Sequence, residues 1–247
     1  MEDNRTIHLT EHMNELRKRV IIVAVAFVGF LIAGLFFADP LFVYLSENAY
    51  QEELKGFRIQ DPFKVYMQLA FIISLICTFP IILYQVWRFI SPGLYLHERR
   101  ATLSYIPMMI VLFLIGIAFS YYILFPFVLN FMWNLSERME IEPLIGVQEY
   151  FTFLFHLTLP FGILFELPLV VLFLTRLGLI TPAFLRSIRK YSYFVLLVIA
   201  GLITPPDLIS HMMVTLPLLL LYELSIFISV YAQRKADKKR EEEQTAQ

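Results

Sequence analysis

The stretch VIIVAVAFVGFLIAGLFFA, residues 20–38, runs for nineteen residues without a charge. A helix needs about 20 apolar residues to cross a hydrocarbon core of about 30 Å, so this stretch predicts a membrane-spanning helix. The whole chain is 58% hydrophobic and only 17% charged, whereas a soluble domain has about 25% charged residues. Further apolar runs follow, and we expect an all-α polytopic membrane protein with spans at about 20–38, 67–88, 103–130, 151–175, 191–204 and 209–231.

Two of these runs have an unusual length. Residues 191–204 supply 14 residues before Pro205, which at about 1.5 Å per residue is too short for the core. Either the outer leaflet is thinned there, or this run and the next form a re-entrant hairpin. The third run extends over residues 101–135 and contains Pro107 and Pro126, so we expect tilt and a kink.

Lys and Arg are distributed unevenly among the loops. Because positive loops stay in the cytoplasm, this bias predicts that both termini are cytoplasmic. We expect one membrane domain over residues 1–233, followed by a charged and disordered tail over residues 234–247. Sixteen of the 20 basic residues fall on the side of the two termini: Arg5, Arg17, Lys18, Arg19, Arg88, Arg99, Arg100, Arg176, Arg186, Arg189, Lys190, Arg234, Lys235, Lys238, Lys239 and Arg240.

Enzyme motifs are absent from the sequence. It has no His-Glu-x-x-His, no Gly-x-Ser-x-Gly and no glycine-rich phosphate loop, and its five histidines are scattered. The single cysteine, Cys77, has no partner for a disulfide within the chain. No basic region interleaves with aromatic residues as nucleic-acid binding requires. We therefore expect no catalytic activity, no cofactor, no metal and no nucleic-acid partner.

Two glutamates, Glu166 and Glu223, lie within apolar runs. A charge at mid-bilayer costs about 2.5 to 3.5 kcal/mol even on insertion scales, so an intramembrane carboxylate is a functional hypothesis by default. The alternative is a glutamate that is protonated or that reaches the interface. Together with His156, these residues allow a second interpretation of the chain, as a proton- or cation-coupled transporter of small molecules.

Two further glutamates, Glu15 and Glu98, stand on segments rich in basic residues. The simpler interpretation is local pairing, for instance of Glu15 with Arg19 at i,i+4. The functional alternative is that the two carboxylates receive two guanidinium groups, which bind a carboxylate through two parallel hydrogen bonds. Spacing alone does not decide between these interpretations.

Six motifs, spread over nearly the whole chain, resemble the TatC family, the receptor and core subunit of twin-arginine protein translocases. The longest of them is 21 residues, which makes a chance match a poor explanation. The motifs are HMNELRKR at 12–19, FPIILYQVWRFISPGLYLHER at 79–99, FSY at 119–121, FP at 125–126, FELP at 165–168 and LITPPD at 202–207.

The resemblance implies six spans with both termini cytoplasmic, a concave wall shaped like a cupped hand and two short final spans. It also implies a multi-pass protein of a bacterial-type plasma membrane that exports folded proteins at the expense of the proton gradient. The expected partners are twin-arginine signal peptides, single-span proteins of the TatA or TatB type, the lipid bilayer and further copies of the chain.

The resemblance assigns roles to individual residues as well. Signal-peptide binding is expected from Glu15, Arg17, Phe89, Leu94 and Glu98, and reception of a partner helix or of the inserted signal from Glu166. Tyr121 and Asp207 match family positions near the outer face, and structural or outer-face roles are expected for these two residues and, apart from the resemblance, for Pro80 and Glu223.

Overall fold

The structure is a computed structural model that describes residues 3–47, 54–93, 99, 102–141, 144–204 and 207–245, with side chains described between Met13 and Arg234 in those ranges. It is built from α-helices. They are α1 (Asp3–Glu47), α2 (Asp61–Ile90), α3 (Tyr105–Phe119), α4 (Phe125–Arg138), α5 (Val147–Leu164), α6 (Leu167–Arg176), α7 (Pro182–Ser187), α8 (Arg189–Ile203) and α9 (Leu208–Thr245).

The expected all-α membrane fold is confirmed. Within the described residues, five helical stretches are long and apolar enough to cross a membrane: Met13–Glu47, Asp61–Ile90, Tyr105–Arg138, Val147–Arg176 and Leu208–Arg234. The remaining apolar run, expected at 191–204, forms α8, which has only 15 residues. A helix of that length is about 22 Å long, below the thickness of the hydrocarbon core. The sixth span, and the shortness of both final spans, therefore stay predictions.

The chain packs as two compact units. Unit 1 contains Met1–Ile110 and Leu144–Thr152, and unit 2 contains Val111–Pro143 and Phe153–Gln247. The chain passes between the units three times: within α3, between Pro143 and Leu144, and within α5. The expectation of a single domain over residues 1–233 stays a prediction, because a packing unit is not required to fold alone.

In unit 1, α1 packs along α2 through a close approach of the two backbones. A Cβ atom placed on Gly34 would lie 2.8 Å from the carbonyl oxygen of Ala70. The Ser74 hydroxyl donates to the carbonyl of Phe27 at 2.7 Å, and the rings of Phe27 and Phe71 meet edge to face at 5.3 Å. Small residues permit this approach, since dispersion contacts and hydrogen bonds hold helices together in lipid.

Backbone hydrogen bonds join two connecting segments of unit 1. The N–H of Lys55 donates to the carbonyl of Ile145 at 3.1 Å, and the N–H of Val147 donates to the carbonyl of Lys55 at 2.9 Å. This short parallel bridge joins the segment before α2 to the segment before α5. It was not expected from the sequence, because two hydrogen bonds leave no periodic pattern.

The start of α2 is fixed by a buried carboxylate. Asp61 is 2% exposed, and its Oδ2 accepts hydrogen bonds from the N–H groups of Phe57 at 3.0 Å and Arg58 at 2.8 Å. These charge-assisted bonds replace the hydration that Asp61 loses on burial. Pro62 follows in the first turn of the helix, where the missing N–H is not needed.

In unit 2, α3 packs against α5 through a second pair of glycines. A Cβ on Gly116 would lie 2.9 Å from the carbonyl oxygen of Phe161, and one on Gly162 would lie 2.8 Å from the ring of Phe113. The rings of Phe119 and Phe161 lie 6.3 Å apart next to this contact. The same device, a small residue facing backbone or ring, therefore joins helices in both units.

The long third run is interrupted at the place where a kink was expected. Ser120–Leu124 forms a π-helical turn, and α4 begins immediately after it with Pro126 in its first turn. The ring of Pro126 would clash with the carbonyl four residues earlier in a regular α-helix. The wider π turn gives the ring of Pro126 the room that a regular α-helical turn would not. Pro107 lies in the first turn of α3 and interrupts nothing.

The charged tail differs from the expectation. Helix α9 continues through residue 234 to Thr245, where the sequence predicts disorder over residues 234–247. Lys, Arg, Glu, Gln and Ala, which dominate this segment, are strong helix formers. A helix already nucleated in the membrane can extend through such residues, because propagation is easier than nucleation.

Substitution of Gly34 by Ala tests the α1–α2 contact. We expect Gly34→Ala to lower the free energy of unfolding by about 1 to 3 kcal/mol, because the added methyl group forces the backbones apart. Gly29→Ala is the control, since a Cβ there meets nothing within 4 Å. The control should be neutral or stabilising by up to about 1 kcal/mol through helix propensity. Thermal unfolding in detergent, followed by circular dichroism, measures both; equal effects would contradict the contact.

Candidate functional site

The candidate site in unit 1 is centred on Glu15, one of the carboxylates singled out by the sequence. Its Oε1 forms an ion pair with Nη2 of Arg19, one helical turn further along α1. Nη1 of the same guanidinium donates to Oε1 of Gln85 on α2 at 3.3 Å. The local pairing expected at i,i+4 is therefore present, and Arg19 also connects the two helices.

These three side chains differ in exposure. The side chain of Arg19 is 12% exposed and that of Glu15 is 38% exposed, while Gln85 is 7% exposed. The guanidinium thus lies on the packed side of α1, and the carboxylate is the partner that faces outward. A ligand approaching from solvent would reach Glu15 before Arg19.

A cavity of about 530 Å³ opens at this place. Three of its lining side chains are basic and one is acidic, so the described lining carries an excess of positive charge. Such a lining does not attract cationic ligands in general, which means that a cation must form specific contacts to bind here. The lining residues are Asn14, Glu15, Lys18, Arg19, Ile22 and Arg88.

The remaining residues expected to bind a signal peptide divide into two groups. Arg17 is exposed on α1, and Phe89 is half-buried in the last turn of α2. Leu94 and Glu98 lie outside the described residues. The structure therefore brings Glu15 and Arg17 to the same turn of α1, and it leaves the expected pairing of Glu15 with Glu98 as a prediction.

Trp87, which the sequence did not single out, joins the residues on either side of 94–98. Its indole N–H donates to the hydroxyl of Thr102 at 3.0 Å, and the Thr102 hydroxyl donates to the carbonyl of Arg99 at 3.2 Å. The guanidinium of Arg99 lies over the Trp87 ring, 5.8 Å from its centroid, a favourable cation–π distance. Gln85 was also missed, although a polar residue in an apolar run is a usable signal.

Glu166 lies at a break in the helix of unit 2. Helix α5 ends at Leu164, Phe165 and Glu166 form a turn, and α6 begins at Leu167 with Pro168 in its first turn. The residue is 6% exposed. Its carboxylate approaches the backbone of Phe113, but neither oxygen makes a hydrogen bond of good geometry with a described residue. A buried polar group in this state is costly.

Both carboxylate oxygens of Glu223, by contrast, accept a hydrogen bond. Its Oε2 accepts from Nη2 of Arg189 at 2.8 Å, and its Oε1 accepts from the hydroxyl of Tyr193. The neighbouring Tyr222 donates to the carbonyl of Leu185 at 2.8 Å. These bonds tie α7 and α8 to α9 within unit 2, and the structural role expected for Glu223 stays a prediction.

The residues expected at the outer face have identifiable neighbours. Oδ1 of Asp207 accepts from the N–H of Ser210 at 2.7 Å, which caps the start of α9. Tyr121 lies in the π turn, with its ring 4.8 Å from that of Tyr122. Pro80 lies within α2 without ending it. None of these contacts assigns the three residues to one side of the membrane, so their outer-face placement stays a prediction.

The sequence of this chain matches one known protein family over most of its length. The family model described as "TatC: Sec-independent protein translocase protein (TatC)" matches residues 11–217. The chain belongs to the TatC family. The match includes Glu15, Arg19, Gln85, Glu166 and the start of α9.

Individual TatC proteins are similar over nearly their full length. The TatCy protein of Bacillus subtilis is 60% identical over 93% of this chain and 91% of its own length. The TatC protein of Aquifex aeolicus is 40% identical over 92% of this chain and 96% of its own length. A crystal structure of the twin arginine translocase receptor TatC superposes with a TM-score of 0.81 at 37% identity, covering 90% of this chain and 99% of that one.

TatC membership makes the chain a component of a Sec-independent protein translocase and a multi-pass membrane protein. The family is one of transport proteins and not of enzymes. Within the described residues, no group of three or more His, Cys, Asp and Glu side chains is placed to hold a metal ion.

We expect the substitution of Glu by Met to change the free energy of unfolding in opposite directions at Glu166 and Glu223. Glu166→Met removes an unpartnered buried carboxylate and should raise the free energy of unfolding by about 1 to 3 kcal/mol. Glu223→Met leaves Arg189 and Tyr193 without their acceptor and should lower it by up to about 1 kcal/mol, since that pair is partly exposed. Thermal unfolding of both variants in detergent provides the comparison, and a stability loss at both positions would contradict our assignment of Glu166.

Proposed function

We propose that this chain is the signal-peptide receptor and core of a twin-arginine translocase that exports folded proteins by means of the proton gradient. The observation that carries the proposal is the Glu15 carboxylate, which is partly exposed at a cavity and already binds a guanidinium. A site that accepts the guanidinium of Arg19 has the geometry to accept the guanidinium of a signal arginine. The similarity of this chain to the solved twin arginine translocase receptor TatC supports the same proposal.

Recognition energy is proposed to come from two Arg–carboxylate pairs, one at Glu15 and one at Glu98. Hydrogen bonds to charged groups each contribute about 1.5 to 3 kcal/mol. Arg17, Phe89 and Leu94 would complete the docking surface, in line with their places in the 12–19 and 79–99 motifs. The apolar part of the signal adds burial against the membrane-facing helices.

The orientation proposed is one with both termini in the cytoplasm of a bacterial-type cell. It is supported by the distribution of Lys and Arg, most of which fall on alternate loops. Arg19 at the start of the first span and Arg88 at the end of the second lie at the same end of unit 1. Signal recognition at this end is consistent with precursors that fold in the cytoplasm.

Glu166 is proposed to receive a transmembrane partner, either a single-span protein of the TatA or TatB type or the inserted signal. The support is its unsatisfied carboxylate at a helix break, which a polar group of a partner helix could satisfy. Intramembrane carboxylates without internal partners commonly mark such positions. Self-association of the chain is a further proposal from the resemblance alone.

The alternative function, a transporter of small molecules using Glu166, His156 and Glu223, receives less support. Glu223 is paired with Arg189 and Tyr193, and His156 is exposed on α5. A proton pathway needs titratable groups that face one another along a shared route. The described contacts join none of these three residues to another.

The receptor function is tested by peptide affinity. The purified protein in nanodiscs should bind a labelled signal peptide with paired arginines at least about tenfold more tightly than its paired-lysine form. Glu15→Ala and Glu98→Ala should each weaken the arginine peptide by a similar factor, about 1.4 kcal/mol. Equal binding in all four cases would mean that the peptide only partitions onto an apolar surface.

The proposed role of Glu166 is tested by export. In cells, Glu166→Gln should reduce export of a folded cargo at least about tenfold, while the purified variant should keep its signal-peptide affinity within about twofold. Glu149→Gln is the matched control, because it makes the same change at an exposed position of α5. Loss of peptide affinity in Glu166→Gln would instead place this residue in the recognition site.

A further inference from the structure

The cavity beside Glu15 contains two basic side chains that the proposed receptor function does not use. Lys18 on α1 and Arg88 on α2 are both exposed, and both line the cavity. Among the described side chains neither of them has an ion-pair partner, whereas Glu15 is paired with Arg19. The carboxylate of the described lining is therefore partly neutralised by its own neighbour, and two positive charges remain for a ligand.

The charge and the size of the cavity favour a phosphate-bearing anion. The oxygen atoms of a phosphate accept hydrogen bonds from Lys and Arg, and such charge-assisted bonds are roughly twice as strong as neutral ones. The cavity volume of about 530 Å³ lies in the range of about 300 to 1,000 Å³ that is usual for small-molecule sites. The cavity is thus large enough for a phosphate together with the groups esterified to it.

The position of the cavity along the helices indicates that the phosphate belongs to a lipid. The charge-free run of the first span begins at Val20, two residues after Lys18, and Arg88 lies in the last turn of α2. Both bases are therefore at the end of an apolar helix, where a bilayer has its headgroups. Ile22 follows Lys18 by four residues, on the same face of α1. It is exposed and lines the same cavity, so it offers an apolar contact to the start of an acyl chain.

We propose that this cavity binds the headgroup of an anionic phospholipid, with Lys18 and Arg88 as the ligands of the phosphate. Basic pockets between transmembrane helices are sites at which membrane proteins bind anionic headgroups. Because the two bases belong to different helices, a bound phosphate would connect α1 to α2 near the hydrogen bond between Arg19 and Gln85. The inference does not depend on the proposed receptor function, since it concerns another ligand and two residues without a role in that function.

The test is lipid binding by the full chain in a neutral detergent, titrated with lipid while native mass spectrometry counts the lipids bound. The probes are phosphatidylglycerol, which is anionic, phosphatidylcholine, which is zwitterionic, and inorganic phosphate as a soluble anion. The test variant combines Lys18→Gln with Arg88→Gln. Its matched control combines Arg186→Gln with Lys190→Gln, which removes one Arg and one Lys at exposed positions of unit 2. Circular dichroism checks that each variant is folded.

We expect the unmodified protein to bind its first phosphatidylglycerol at least about tenfold more tightly than phosphatidylcholine, because only the former carries a net charge for the bases to neutralise. The test variant should bind phosphatidylglycerol at least about tenfold more weakly, since each base near the headgroups contributes about fivefold. The control should stay within about twofold of the unmodified protein. If the double substitution does not fold, Arg88→Gln alone carries the test, with an expected loss of at least about threefold.

Three results would overturn the inference. The first is equal binding of the two lipids by the unmodified protein, which would mean that lipids only coat its apolar surface. The second is equal binding of phosphatidylglycerol by the test variant and its control, which would remove any special role of the cavity. The third is displacement of the lipid by inorganic phosphate at the same concentration, which would assign the site to a soluble anion. The receptor function survives all three results, because its own failure is measured with signal peptides.

Discussion

A peptide group left unpaired in hydrocarbon costs several kcal/mol, and the architecture of this chain depends on that constraint. The backbone N–H and C=O groups of each apolar run must therefore form hydrogen bonds within the run, and a helix is the structure that achieves this. The helices can then gain little from the hydrophobic effect between themselves, so they associate where small residues let backbones approach. Gly34 against Ala70 in unit 1 and Gly116 against Phe161 in unit 2 are such places.

The same constraint explains where the helices are irregular. Pro126 removes a hydrogen bond within a long run, and a π turn over Ser120–Leu124 precedes it, in which the N–H of Phe125 bonds to the carbonyl of Ser120. Pro168 has a different effect, because the turn at Phe165 and Glu166 precedes it and a new helix begins there. The Glu166 carboxylate at this break is buried. The helical run therefore continues into the turn that holds Pro126. Pro168, by contrast, follows a helix break that contains a buried carboxylate.

Much of this fold follows from composition, but the site follows only in part, through Glu15 and its local pairing with Arg19. Apolar runs set the helices, because hydrophobicity over about 20 residues is a local property that the sequence displays directly. The Lys55–Ile145 pairing and the Arg19–Gln85 bond depend on how distant segments align, which no single segment encodes. The tail also resisted prediction, since its charged residues suit both disorder and the continuation of α9.

Glu15 illustrates why local pairing and function need not exclude each other. From the sequence, a bond to Arg19 looked like an alternative to ligand binding, because a carboxylate engaged with its own helix seems unavailable. In the structure the pair lies at a cavity with the carboxylate outward and the guanidinium held also by Gln85. Because the Glu15 carboxylate is partly exposed, solvent screens the pair and limits its contribution to stability, so a local pair does not exclude exchange with a ligand.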